Sequence, residues 1–340
     1  TVNFKNVKLN ESHIIWKNEN HKVGEVYMKS SRLRSSLVGL ELSKKIVNYL
    51  ANYCIDTNNV EVSKDMELRI KYQVVAPLYA MESMIYYTAG LIDEFEDQDV
   101  TLEAAVTKYY TSQNMFKIAR AALDFMGPKA LLKGEPSEEF LRNAAELYTL
   151  GEPIETLKSF IALTGLQHAG VCMSDDVFKS RNPLFNPMHM FKKFIKSSDI
   201  ETISTKMGLN ENLHPSLAGP AECIELSVTR LKMCVEMLFN RYGNEIVQRQ
   251  VEIKAEIISM LRMYTSASRA SRSYCIGLRL ADELLTAIAI NLHGKERIKV
   301  LAAEIMKGPY LTNDHNLQKM SKQIFKSKGF FFEHPLTYNY

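Results

Sequence analysis

No apolar run in this chain approaches the roughly 18 to 20 residues that span a bilayer. The best of them, LLTAIAINL from Leu284 to Leu292, is far too short. Charge of one sign is not in excess either: 42 Lys and Arg against 39 Asp and Glu leave a net +3. That balance is too small and too dispersed to argue for nucleic acid. Cysteine is sparse: Cys54, Cys172, Cys223, Cys234 and Cys275 stand far apart with no CxxC spacing. Reduced, partly buried thiols are therefore expected in place of a disulfide framework. The 8 histidines form no HxxxH or HExxH pair, so no metal site is expected. The opening TVNFKNVKLN carries no initiator Met, signal h-region or Arg-rich transit segment. This gives the expectation of a processed or truncated chain.

What is present is helical periodicity. With 340 residues, 46% hydrophobic and 24% charged, the chain can bury a sizeable core as one large or two smaller domains. Residues 1 to about 20 alternate apolar and polar, which predicts a short strand or hairpin. From about Gly24 the period becomes helical, through Leu33, Leu37, Leu40, Val47 and Leu50. A second helix is predicted from about Lys64 to Ile92, kinked at Pro77 because proline lacks an N–H. The acidic run DEFEDQD (Asp93 to Asp99) predicts a solvated loop. Helices follow over about Thr101 to Met126 and Ser137 to Leu150, and another begins near Pro153, where proline suits a first turn. After Gly170 the pattern loosens, then resumes with a seam at Ile224, Val228, Leu231, Val235 and Leu238, the spacing of bundle packing. The periodicity gives an all-α chain of two helical bundles meeting near Gly170, with a short β remnant over residues 1–22. The bundles are expected to occupy residues 23–170 and 171–340.

Several stretches resemble the acyl-CoA dehydrogenase family. TVNFKNVKLNESHIIW is similar to the closing strands of its middle β domain. KSSRLRSSLVGLELSKKIVNYLANYC resembles its helix with a Gly/Ser-Arg pair and a small-residue Val-Gly patch. YAMESMIYYTAGL and FIALTGLQHAG resemble the very-long-chain branch, and a second helical bundle is itself a mark of that branch. SRASRSYCIGLR and the late HPL resemble its member that assembles mitochondrial complex I.

The resemblance implies an FAD enzyme whose base is a glutamate in a Glu-Gly-Thr/Ser sequence. Counting back from Phe160-Ile161-Ala162-Leu163, that glutamate falls on Gly151, the glycine on Glu152 and the threonine on Pro153. The alternative base position of the family, just before the first-helix arginine, holds Ser31 before Arg32. Glu152 is a weak substitute, one residue out of register, and a surface glutamate at a helix start is the commoner case. The implied flavin contacts are also altered. Asp56, Asn58 and Asn59 stand where an Arg-x-Gln-Phe loop is expected. DFMGPKA places Asp124, Pro128 and Ala130 in a glycine-rich turn, and Asn143 follows Arg142 where an aspartate belongs. An anion at Asp56 would repel a pyrophosphate. These departures give the expectation of a pseudoenzyme with no catalytic residue and no bound cofactor; FAD is expected only if the chain is an active dehydrogenase.

Two surfaces are then candidates. Val177 to Lys196 mixes Phe178, Phe185, Met188, Phe191 and Phe194 with Lys192, Lys193 and Lys196. The mixture suits an anionic membrane or an apolar partner groove, or else the aromatics fold back onto the bundle. Arg269, Arg272 and Arg279 form a stripe that suits an acidic partner or solvent. The resemblance implies a homodimeric scaffold in the mitochondrial matrix, peripheral to the inner membrane. Its implied partners are complex I assembly proteins, including a signalling-adaptor-type assembly protein, or complex I subunits.

Overall fold

The computed structural model describes residues 3–14, 22–56, 71–94, 99–189, 191, 208, 215, 218–248, 299–300, 302–308, 311 and 314–329. The helices are α1 (Lys22–Asp56), α2 (Ala76–Glu94), α3 (Thr101–Met126), α4 (Pro136–Thr149), α5 (Ile154–Arg181), α6 (Ala218–Tyr242) and α7 (Asp314–Ser327). Among the described residues there is no strand. Residues 3–14 are exposed and carry one 3-10 turn at Glu11–His13. A strand needs a neighbouring strand to satisfy its backbone, and no described residue supplies one.

Helix α3 is the hub, packing on α1, α2, α4 and α5. Its sequence explains why. Ala104, Ala105, Ala119, Ala121 and Ala122 are buried at helical spacing, so neighbours can approach its backbone closely. One core joins α1, α2, α3 and α4 through Leu40, Ile46, Met81, Ile85, Met115, Ile118 and Ala144, all essentially inaccessible. A second joins α3 to α5 and α6 through Val106, Leu157, Ile161, Val235 and Leu238. Residues of α3 contribute to both cores.

Helix ends follow local chemistry. Just before α3, Asp99 braces its first residue: Oδ1 accepts the Thr101 N–H at 3.0 Å and the Thr101 hydroxyl at 2.5 Å. Asp99 also pairs with Lys29 at 3.2 Å, so the last residue of the acidic run has a structural task. Helix α3 stops at Gly127, whose φ of +62° favours glycine. Pro136 occupies the first turn of α4.

Two features depart from the periodicity. Just before α2, residues Lys71–Val75 form a π-turn, and the α-helix begins at Ala76. Proline 77 cannot donate to the carbonyl of residue 73, and a wider turn accommodates its ring; the irregularity therefore sits on the N-terminal side of the proline. Helix α5 also does not loosen at Gly170 but continues to Arg181. The ring of Phe239 from α6 lies 3.5 Å from where a Gly170 Cβ would stand. That glycine is a packing position inside a helix, not a stop. The helix ends at Asn182, whose N–H and side-chain amide both donate to the Phe178 carbonyl, at 3.2 and 2.9 Å. The Asn-Pro that follows prevents continuation. The seam of α6 packs inward, with Ile224, Val235 and Leu238 buried and Leu231 half-buried against the second core.

Candidate functional site

The positions matched to catalysis meet where α1, the start of α3 and the link between α4 and α5 converge. Arg32 of α1 is 3% exposed, and every face of its guanidinium is engaged. Nε donates to Glu152 Oε2 at 3.0 Å and one terminal nitrogen to Oε1 at 2.9 Å. The other terminal nitrogen donates to the Thr101 carbonyl at 3.2 Å, and the Phe160 ring lies 4.4 Å from the guanidinium carbon. This is the bidentate, aromatic-backed geometry that suits arginine and not lysine.

Lys108 of α3 is buried and reaches the same carboxylate. Its Nζ donates to the Leu150 carbonyl at 3.3 Å and stands 3.8 Å from Glu152 Oε2. Gly151, between those partners, has φ +80°, a conformation that lets the chain turn and bring Glu152 inward. A Cβ added at Gly151 would come within 3.3 Å of Lys108 Nζ.

The electrostatics follow from these contacts. Hydrogen bonds from Arg32 hold the Glu152 carboxyl below the usual carboxylate range, and Arg32 and Lys108 charges add to that against burial. Burial pushes Lys108 below its usual range, with Arg32 helping and Glu152 opposing. Two cations and one carboxylate therefore share a poorly solvated junction.

Glu152 is thus not the surface glutamate expected at a helix start. Its side chain is 19% exposed and both its oxygens are bound, because the Gly151 turn delivers it to a buried arginine. Sequence reasoning placed Arg32 only as a landmark and missed Lys108. The available signal was position: Lys108 lies one turn from Ala104 and from Thr111 and Ser112, all buried, so it falls on the inward face of α3.

The remaining positions are separate from this junction. Asp56 is the last residue of α1, while Asn58 and Asn59 lie outside the described residues. Asp124 and Pro128 are exposed, and Pro128 sits in the first turn of the 3-10 segment Gly127–Leu131. Ala130 is fully buried and its carbonyl accepts the Ser137 hydroxyl at 2.7 Å. Arg142 is exposed, 3.9 Å from Glu138 on its own helix. Phe178, Phe185, Met188 and Phe191 are 67%, 86%, 67% and 62% exposed, so they do not fold back onto the bundle. Lys192, Lys193, Phe194 and Lys196, and the stripe Arg269, Arg272 and Arg279, lie outside the described residues. No group of His, Cys, Asp and Glu among the described residues could hold a metal. Beside the junction, Leu37, Val38, Leu42, Leu147 and Leu150 line a groove of about 540 Å³ between α1 and α4.

This arrangement of helices is that of the C-terminal helical domain of acyl-CoA dehydrogenases. Residues 69–163 match the family model acyl-CoA dehydrogenase, C-terminal domain, and residues 215–330 match ACAD9/ACADV, C-terminal domain. The mitochondrial very long-chain specific acyl-CoA dehydrogenase of Rattus norvegicus is 24% identical over 264 residues, covering 76% of this chain and 40% of that protein. Its Homo sapiens counterpart is 23% identical over 266 residues with the same coverages. The chain therefore spans about 40% of the length of the curated relatives it matches. The crystal structure of an acyl-CoA dehydrogenase complexed with FAD from Bacillus anthracis shares the fold at a TM-score of 0.66 and 14% identity. That match covers 86% of this chain and 52% of the other. The chain is thus similar to acyl-CoA dehydrogenases over two C-terminal segments, residues 69–163 and 215–330, and shares their helical fold.

Proposed function

We propose that this chain is a catalytically silent acyl-CoA dehydrogenase homologue whose retained fold serves as a scaffold. The observation that carries the reading is the junction at residues 151–152. The position matched to the base is Gly151, and the adjacent Glu152 has both oxygens held by Arg32. A general base must reach the proton it takes and titrate near the working pH. A carboxylate held ionised and bidentately bound does neither well.

The residues matched to flavin contact fit the cofactor no better. The exposed Asp124 and Pro128 offer an anion and a missing N–H where a phosphate-bearing group needs donors, and Ala130 is committed to the core. The similarity to mitochondrial relatives supports a mitochondrial protein, and the resemblance carried by SRASRSYCIGLR and the late HPL motivates a role in complex I assembly. In this reading it is a homodimer in the matrix, peripheral to the inner membrane, and the exposed aromatics at the end of α5 contact membrane or partner.

The first test is the visible absorbance of the purified protein, before and after adding FAD. The expected result is no protein-bound flavin spectrum beside an intact helical circular dichroism spectrum. A bound flavin that bleaches with a long-chain acyl-CoA would overturn the reading in favour of an active FAD-dependent dehydrogenase. Co-purification should recover complex I assembly intermediates. Stoichiometric recovery with the mature complex would instead make the chain a permanent structural subunit.

A further inference from the structure

Helix α7 contributes nothing to either core. From Asn316 to Gly329 every residue is exposed. Its sequence is nevertheless not that of a solvated spacer. Leu317, Met320, Ile324 and Phe325 recur at the spacing that puts them on one stripe, and they are 60%, 42%, 41% and 80% exposed. Lys319, Lys322 and Lys326 fall on the opposite side at about 100° per residue, and Lys328 follows at the end of the helix. No Asp or Glu occurs from His315 to Gly329.

The helix is terminated by its own residues. Lys328 adopts φ +56°, its N–H donates to the Phe325 carbonyl at 3.3 Å and that of Gly329 to the Ile324 carbonyl at 3.2 Å. This pair of bonds is a Schellman closure, which satisfies the last carbonyls without help from neighbouring elements. Serine 327 adds a bond to the Gln323 carbonyl at 2.7 Å.

The polar face discriminates between occupants. Helices that pack into the cores carry mixed charge outside, such as Glu138, Glu139, Arg142 and Glu146 on α4 or Glu41, Lys44 and Lys45 on α1. Mixed signs are enough for solvent. The all-lysine face of α7 is matched only by an environment that is negative around an apolar floor. A protein groove engages both faces only if it carries an acidic rim shaped to this helix. The boundary of an anionic bilayer engages both, with the stripe at the acyl chains and lysine stems extending to phosphates. At about 1.5 Å per residue α7 is roughly 21 Å long, too short to cross the hydrocarbon, so it lies in the plane.

We propose that α7 is an interfacial helix that docks the chain on an anionic lipid surface through Leu317, Met320, Ile324 and Phe325, with Lys319, Lys322 and Lys326 among the headgroups. The docking does not depend on whether the chain is catalytically silent, and it is separate from the aromatic surface at the end of α5.

The test is flotation of the full chain with phosphatidylcholine vesicles, with and without about one-third phosphatidylglycerol. Binding is expected only to the anionic vesicles, and it should weaken as salt rises. The variant Lys319→Glu/Lys322→Glu/Lys326→Glu should partition on the order of 100-fold more weakly. Leu317→Ser/Ile324→Ser should also release the chain. All five positions are exposed, so the circular dichroism of the free protein should change little. In Phe325→Trp, emission should shift to the blue on vesicles beyond any change from Trp16. The proposal is overturned if the chain does not float, if either α7 variant binds like the parent, or if only Phe185→Ser/Phe191→Ser abolishes flotation. A protein that binds the α7 stripe while vesicles do not would assign the helix to a protein partner instead.

Discussion

Replacing Glu152 by alanine is expected to destabilise the fold by about 3 kcal/mol, near the lower end for breaking a buried ion pair. The substitution leaves two cations without their carboxylate. Arg32 is 3% exposed and retains only the Thr101 carbonyl and the Phe160 ring, while Lys108 retains only the Leu150 carbonyl. Glu152 itself is 19% exposed, so some water enters and the loss stays below that of a fully enclosed pair. The urea midpoint measures the effect. Glu152→Gln should keep the shape and lose most of the same stability, which assigns the loss to charge. Adding Arg32→Met to Glu152→Gln should cost less than the sum of the two single changes, because the uncompensated cation is removed with its partner. A midpoint for Glu152→Ala within about 0.5 kcal/mol of the parent would mean the junction is solvated and contributes little.

The same contacts set a pH dependence with a definite sign. The folded Glu152 carboxyl titrates below its usual value of 4.5, so folding holds the proton off. Its contribution is complete above the unfolded value and is lost as pH falls through the folded one. The parent should therefore lose stability below about pH 4.5 more steeply than Glu152→Gln, and the two should converge in acid. Lys108 acts at the other end. Its folded value is lowered from 10.5, so the cost of keeping it charged in the fold diminishes as pH rises toward that value.

Gly39→Leu is expected to cost about 3 kcal/mol or more, by forcing apart the two helices that hold the junction. A Cβ at position 39 would meet Thr111 Cγ2 at 3.0 Å and Met115 Sδ at 3.2 Å, both on α3. Alanine is a different case. It gains about 1 kcal/mol of helix propensity over glycine and the flexible Met115 can shift, but the buried, β-branched Thr111 must also give, so Gly39→Ala should cost about 1 kcal/mol or less. Leucine has no such space, and α1 must move away from α3. Arg32 lies on α1 and Lys108 on α3, so the displacement also loosens the grip on Glu152. Equal midpoints for the alanine and leucine variants would mean the helices do not touch at Gly39.

How far the sequence reached depended on how local each feature was. The hydrophobic period placed α3 at Thr101–Met126 and α4 to within a residue of its Pro136–Thr149, and Pro153 marked the start of α5, because period and proline chemistry act within one or two turns. The resemblance matched the family's base position to Gly151 on the local spacing of neighbouring residues alone. Failures occurred where a distant residue decided the outcome. The pattern loosens after Gly170, but Phe239 of α6 packs against that glycine and α5 continues to Arg181. Glu152 reads as a solvated helix-start residue, but its partner Arg32 is 120 positions away.

By itself, then, the sequence determined the helical architecture and the opposed apolar and lysine faces of α7. Each of these is a matter of residue type at a spacing within one element. Only the tertiary structure decided that Glu152 is the half-buried partner of a buried arginine, that Lys108 joins it, and that the stripe of α7 is left uncovered. Charge pairing and burial depend on which elements the fold brings within a few ångströms, and no periodicity within one element encodes that.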